Sequence, residues 1–362
     1  MPLAQMHVNT ASNDLMQKDD GQCDHTFSDA EAATAGDVQL AAAILDKIGM
    51  PAIEAELQVR SNEAMPDEDL CAFWEVLSAT TFRVAADDPG GAAVKRIVHV
   101  GCTAVAAAAA GELGRTKTEV CVEKLKKMLC RLPGWALVRL VAAVTATLPA
   151  GSEGKQLDLL PHLLEAAGRL DSFPRASDGS GLPVAGDDFR DEALRSLLDT
   201  KWAPAMCAHL ASTLRDISGL SLDLLKQFVT KFVDGFSELE IEGLPPVVYQ
   251  LLVLCTKTDR SVGKLLLTSV VGYFRRLDER SAALDESDTL SQQDSIREPI
   301  LDTRQLRSVE GTVILQINFA VKHDQPMGKE CISLLKADAA ARTPFGLALL
   351  FSLARISWLE DP

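Results

Sequence analysis

The sequence predicts an all-α chain built as an irregular helical-repeat solenoid of the HEAT or armadillo kind. Three observations carry this. Leucine and alanine dominate a composition that is 47% hydrophobic but only 5% aromatic, with 2 tyrosines; these are helix formers, and strand-forming runs of Val, Ile, Tyr and Phe are few. Apolar residues recur at helical spacing in stretch after stretch of about 12–18 residues, separated by short loops rich in Pro, Gly and Ser. Finally, 362 residues are too many for one four-helix bundle, whereas stacked helical hairpins bury amphipathic helices against their neighbours. No strict period is present, so the repeats are irregular, and a compact multi-helix domain is the alternative.

The elements follow in order. Residues 1–35 are polar, acidic and without periodicity, and read as poorly ordered. Val38 to Ile48 is a short helical stretch. Pro66-Asp67-Glu68-Asp69 opens a helix whose first-turn acids suit the dipole and whose apolar stripe is Leu70, Phe73, Trp74 and Leu77; Asp87 to Gly91 ends it. Ala92 to Ala110 is an apolar helix. Thr116 and Glu119 have capping-box spacing for the next, whose stripe is Cys121, Leu125, Met128, Leu129 and Leu132. Pro133-Gly134 starts a helix from Trp135 to Leu148, and Gln156 to Leu170 follows with Pro161 as a kink or split. Asp171 to Asp188 reads as a loop. Helices are then expected at 189–199, 204–215, 221–236, 245–256 and 261–280. In 221–236, Ser221 is the N-cap, and Leu225, Phe228, Val229, Phe232 and Phe236 share one face. Pro204, Pro245, Pro326 and Pro344 sit near helix starts, where proline is tolerated. Residues 281–304 are polar and aperiodic and read as a linker. Val309 to Val321 fits strand or helix on propensity, and its length favours helix; Cys331 to Lys336 and Phe345 to Ile356 complete the set. The organisation is an acidic N-terminal segment over 1–65, a first solenoid over 66–280, a linker over 281–304 and a helical domain over 305–362.

Charge separates the chain into two parts. The net charge is −15, which argues against a phosphate-rich partner, but residues 1–90 hold 4 basic and 17 acidic residues, and residues 91–362 hold 32 and 34. The body is therefore near neutral. Its eight cysteines form no C-x-x-C and sit mostly in apolar helical runs, as buried free thiols of a reducing compartment do. Residues 1–20 have neither the basic start nor the apolar core of a signal peptide, and the run from Val247 to Cys255 is far short of a membrane span. These features read as a soluble intracellular protein.

Catalytic signals are missing. The six histidines are scattered, no metal-binding spacing or phosphate-binding glycine loop occurs, and Asp87-Asp88 and Asp187-Asp188 border turns, where such pairs cap helices. The expectation is a protein that is not an enzyme, with no cofactor, metal or catalytic residue. Basic clusters stand out instead. Residues 112–139 hold seven basic residues against three acids, centred on Lys124, Lys126, Lys127 and Arg131, of which the first, third and fourth are spaced to share a helix face. Lys257, Arg260, Lys264, Arg275, Arg276 and Arg280 form a second cluster against three acids. Such clusters are solvated helix faces or phosphate-backbone contacts without base readout; no aromatics interleave them for stacking on single strands. Ser291-Gln292 in the linker is a candidate phosphorylation dipeptide.

Several strings taken together carry a resemblance. Leu244-Pro-Pro-Val-Val-Tyr-Gln-Leu-Leu-Val-Leu254 follows an amphipathic helix; Val309-Glu-Gly-Thr-Val-Ile-Leu315 precedes Phe319-Ala-Val-Lys322; Pro344-Phe-Gly-Leu-Ala-Leu-Leu350 precedes Ala354-Arg-Ile356. With Leu132-Pro-Gly134 and Leu157-Asp-Leu-Leu-Pro161, their order and spacing over residues 120–358 resemble the N-terminal solenoid of the Fanconi anaemia group I family. The resemblance implies a nuclear α-solenoid scaffold of interstrand-crosslink repair that pairs with the paralogous Fanconi anaemia group D2 protein as a heterodimer and clamps duplex DNA, with a DNA polymerase among its partners and no membrane. Lys124, Lys126, Lys127, Arg131, Lys264, Arg275 and Arg276 are then the candidate DNA contacts. The family's ubiquitin-acceptor lysine and main phosphorylated cluster lie beyond residue 362, so no acceptor is placed in this chain, which is expected to be a fragment, a truncated gene product or a short form. A helical-repeat adaptor that binds only proteins is the alternative function.

Overall fold

The computed structural model describes residues 92–111, 114–151, 154–176, 181–256, 260–288, 303–337 and 343–356. The expectations for residues 1–91, including the helix opened by Pro66, and for Ser291-Gln292 lie outside them. Twelve α-helices account for most of the described residues, which contain no strand and a single isolated antiparallel bridge, Phe173 to Val184. Backbone contacts divide the chain into two compact units between Ala193 and Leu194.

In the first unit, α1 (Ala92–Ala109) packs on α3 (Gly134–Thr147), and α2 (Gly114–Leu129) packs on α4 (Leu159–Gly168). Successive helices also touch, α1 with α2 and α3 with α4, so the four form two layers of helical hairpins. The helix α5 (Gly186–Asp199) begins in this unit. Three sequence expectations shift. The capping box at Thr116 and Glu119 does not form at a helix start, because α2 begins at Gly114; Glu119 instead pairs with Arg115 at 3.2 Å and Lys155 at 3.7 Å. Pro161 does not kink its helix. A 3-10 turn over Lys155–Asp158 precedes α4, which places Pro161 in a first turn, where its missing N–H costs nothing. That turn is held by a buried polar pair, Gln156 Nε2 donating to Thr147 Oγ1 at 3.1 Å. The expected loop is shorter than 171–188, since α5 starts at Gly186.

The second unit repeats the two-layer arrangement. One layer runs α6 (Pro204–Asp216), α8 (Leu244–Thr256), α10 (Thr303–His323) and α12 (Pro344–Ala354); the other runs α7 (Leu222–Asp234), α9 (Arg260–Asp288) and α11 (Gln325–Ala337). Successive helices of each layer pack on one another, and α8 to α12 also pack across the layers, which is the stacking of an α-solenoid. Local signals explain the boundaries. Ser221 caps α7, its hydroxyl accepting the Leu224 N–H at 3.3 Å, and Leu225, Phe228, Val229 and Phe232 are buried along one face with Phe236 in the following 3-10 turn. Pro204 and Pro344 occupy first-turn positions, and Thr343 caps α12 through the Gly346 N–H at 3.2 Å. The segment Val309 to Val321 is helix, inside α10. Helix α9 continues to Asp288 and α10 begins at Thr303, so the two ends of the segment 281–304 that the polar composition places as a linker are helix; the rest of it lies outside the described residues.

Among the six described cysteines, all free, Cys121, Cys207, Cys255 and Cys331 are buried, Cys102 is half-buried and Cys130 is exposed just past the end of α2. Burial pushes the Cys207 thiol up to about 11, and the Cys255 and Cys331 thiols up to about 12, as for structural rather than reactive cysteines. No described helix is long and apolar enough to cross a membrane.

Candidate nucleic-acid interface

Helix α2 displays the first basic cluster because its apolar residues consume one face. Cys121, Val122, Leu125, Met128 and Leu129 are buried, as is the hydroxyl residue Thr118. The remaining positions of its C-terminal half are three lysines and one acid: Lys127 and Glu123 are exposed, and Lys124 and Lys126 are half-buried. Lys126 pairs with Glu123 at 2.7 Å, and Lys126 and Lys127 lie in the last turn, where positive charge complements the helix dipole. Arg131 lies beyond the end of the helix, in a turn whose N–H donates to the Met128 carbonyl at 3.0 Å, so it does not continue the face of Lys124 and Lys127 as helix. An exposed i,i+3 pair such as Lys126–Glu123 contributes under about 1 kcal/mol, little enough for a phosphate to displace the carboxylate.

The second cluster lies on α9. Lys264 pairs with Glu330 of α11 at 3.2 Å, and Arg275 with Glu279 at 3.7 Å. Arg276 is exposed, with no ion pair among the described residues. Lys257 and the side chains of Arg260 and Arg280 lie outside the described residues. Both clusters are thus partly paired with carboxylates, Lys126 on α2 and Lys264 and Arg275 on α9.

Sequence reasoning missed a buried charged cluster in the second unit. Arg307 Nη1 donates to Glu310 Oε2 at 2.6 Å and lies 3.5 Å from Asp278 Oδ1, and the Phe345 backbone N–H donates to the Asp278 carboxylate. This ties α9, α10 and the start of α12 together. The i,i+3 spacing of Arg307 and Glu310 is visible in the sequence; the burial of Glu310 and the third member from α9 are not. Burial raises both carboxyls above their ordinary values, with Arg307 opposing the shift. A raised carboxyl binds its proton more tightly when folded. The stability it contributes is therefore present below the ordinary glutamate value of 4.5 and is lost as pH rises through the folded value. Glu310→Gln, which cannot titrate, should gain in thermal stability relative to the unsubstituted chain as pH rises above the ordinary glutamate value of 4.5. Paired melts across that range check this, and a difference that is flat or runs the other way rejects it.

A cleft of about 410 Å³ in the second unit is lined by Trp202, Cys207, Lys231, Asp234 and Glu238 among others. Of its two lysines, Lys201 and Lys231, the second is already occupied: Lys231 Nζ donates to the carbonyls of Leu198 and Thr200 and lies 4.4 Å from the Trp202 ring centroid. Burial lowers its pKa, with Asp199 opposing. The lysine therefore caps the end of α5 rather than serving a ligand. No cluster of three or more His, Cys, Asp or Glu side chains able to hold a metal occurs among the described residues.

Comparison with known proteins places this architecture. The family described as FANCI solenoid 1 matches residues 94–322, from the start of α1 to the end of α10. The Fanconi anemia group I protein of Gallus gallus is 35% identical over 231 residues, covering 62% of this chain and 16% of that protein. The Fanconi anemia group I protein homolog of Mus musculus is 33% identical over 213 residues, covering 58% of this chain and 15% of the relative. The chain thus spans about a sixth of the length of these curated relatives. The match begins before residue 120, where the strings noted in the sequence start. Two-layered hairpin stacking in both units and a match over more than half the chain agree: the chain belongs to the FANCI solenoid 1 family.

Proposed function

We propose that this chain is a non-enzymatic scaffold segment of the Fanconi anaemia pathway of interstrand-crosslink repair, which binds duplex DNA and the paralogous group D2 protein in the nucleus. Family membership supports the pathway, and the similarity to Fanconi anemia group I proteins supports the heterodimer and a DNA polymerase as partners. The division into a first solenoid followed by a helical domain belongs to the same reading. The observation that carries DNA binding is the lysine-bearing outer face of α2, with Lys124, Lys126, Lys127 and the following Arg131. Lys264, Arg275 and Arg276 would add contacts only after exchanging carboxylate for phosphate at the first two.

Replacing Lys124, Lys126 and Lys127 together by glutamate should weaken duplex binding at low salt. The slope of log affinity against log salt should fall by roughly 2–3, since each lost phosphate contact removes about 0.9. Fluorescence anisotropy with a labelled duplex at several salt concentrations measures this, with a circular dichroism melt as the fold control. An unchanged slope removes α2 from the interface. Pairing of the α9 bases favours a second reading, a helical-repeat adaptor that binds only proteins. Under that reading the unsubstituted chain shows no duplex binding even at low salt.

A further inference from the structure

Among the described residues, Leu182 and Leu222 are exposed singly, and the other large apolar side chains left in solvent lie on three helices of one layer. Leu315 is 70% and Phe319 57% exposed on α10, and Leu347 is 44% and Phe351 74% exposed on α12. Tyr249, 39% exposed, lies on α8 of the same layer. These helices are buried elsewhere by a separate apolar set, Val313, Ile317 and Val321 on α10 and Phe345, Leu349 and Leu353 on α12. Each helix therefore carries a second apolar stripe that the core does not use, which scattered surface leucines would not produce. The two stripes are neighbours. Asn318, beside Phe319, donates through Nδ2 to the hydroxyl of Ser352, beside Phe351, so both aromatic rings flank the junction of the packed pair α10 and α12. Within each stripe the residues are four apart, giving two parallel ridges with a furrow between them, the shape that receives a third helix.

Charge identifies the kind of helix. Along α8, α10 and α12 the only carboxylate is Glu310, which is buried and held by Arg307. Arg304, Lys322, His323 and Arg355 are exposed on or just beyond these helices, and Asp324 is half-buried just past the end of α10. Bases outnumber carboxylates beside this furrow, in a body whose residues 91–362 hold 32 basic and 34 acidic residues. A second copy docking by the same face would set positive rim against positive rim. We propose that the outer face of α10 and α12 docks an amphipathic acidic helix of a partner protein, with leucine or phenylalanine side chains seated between Phe319 and Phe351 and carboxylates against Lys322 and Arg355. This rests on the geometry of the second unit alone and does not depend on the DNA-binding reading.

The test uses the whole chain and two designed fluorescein-labelled helical peptides. Both carry Leu and Phe at i, i+3, i+4 and i+7; one has glutamate at its polar positions and the other lysine. Anisotropy at low salt should give saturable binding of the glutamate peptide and at least tenfold weaker binding of the lysine peptide. Phe319→Gln or Phe351→Gln should each weaken the glutamate peptide about tenfold, as interface aromatics do, and so should the charge reversals Lys322→Glu and Arg355→Glu combined. Both aromatic rings are exposed, so these variants keep the fold, and unchanged melts verify that. Binding of neither peptide overturns the proposal. Equal binding of both also overturns it, marking a face that stacks on any apolar helix, a further solenoid repeat included. Sedimentation that shows a dimer abolished by Phe319→Gln overturns it in favour of a second copy.

Discussion

Alanine at Gly186 should destabilise the first unit by about 2–4 kcal/mol, a fall of roughly 5–15 °C in melting temperature. A β-carbon there would lie 2.1 Å from the Ala167 carbonyl oxygen, 2.9 Å from its carbon and 2.8 Å from the Leu170 oxygen. These are backbone atoms at the end of α4, so no rotamer change relieves the overlap. The same atoms are engaged in bonding: the Leu170 N–H donates to the Ala167 carbonyl at 3.0 Å, and the Gly186 N–H donates to the Leu170 carbonyl at 3.2 Å. Making room requires the start of α5 to move off α4 by about 1 Å, which loosens those bonds at about 1 kcal/mol each in addition to the packing strain. Gly235 is the matched control. It sits at φ −79° at the end of α7, with nothing within 4 Å of a built β-carbon. Gly235→Ala should be neutral or stabilising by up to about 1 kcal/mol, because only the unfolded chain loses freedom. Thermal melts of the two variants that coincide would refute the close approach at Gly186.

The residues that specified most of the fold act locally. Ser221 caps its helix from within the sequence, Pro204 and Pro344 lie in first turns, and the Leu225, Phe228, Val229 and Phe232 stripe is buried as its spacing predicts. What the sequence did not reveal depends on residues far apart in the chain. Gly186 reads as one more loop glycine until α4 is packed against it. Gly134 is similar, with a built β-carbon 2.1 Å from the Phe173 ring. Thr116 and Glu119 have the right spacing for a capping box, but the helix starts earlier at Gly114 and Glu119 turns to Arg115 and Lys155. The basic clusters were legible as composition. The pairing of Lys264 was not, because its partner Glu330 is on another helix. Leu315 and Phe319 belong to the apolar run from Val309 to Val321. Both helical faces of that run are apolar, and periodicity alone does not choose which one is buried.

Phe274→Ala should be the most damaging core substitution in the second unit, at about 3–5 kcal/mol. Phe274 is fully buried, stacks on Phe345 of α12 with centroids 4.1 Å apart and planes 17° from parallel, and meets Tyr273 edge-on at 5.6 Å. Truncation removes the apolar transfer energy of a phenyl ring, leaves a cavity bounded by α9 and α12, and forfeits an aromatic pair that contributes about 0.5–1.5 kcal/mol beyond its area. The position matters as much as the ring. One turn further along α9, the Asp278 carboxylate accepts the Phe345 backbone N–H, so α9 holds the first turn of α12 twice, by stacking and by a hydrogen bond. Losing the stack loosens the start of the helix that carries Leu347 and Phe351. Phe274→Leu, which keeps most of the volume, should cost under about 1.5 kcal/mol. Phe351→Ala, the same chemical change on the exposed side of α12, should stay within about 0.5 kcal/mol of the unsubstituted chain while abolishing an anchor of the docking face. The contrast is decisive because both are phenylalanines, and either could be read from the sequence as core. Equal melting temperatures for Phe274→Ala and Phe351→Ala would mean that α12 presents the opposite face to the core, and with it the furrow on α10 and α12 would disappear.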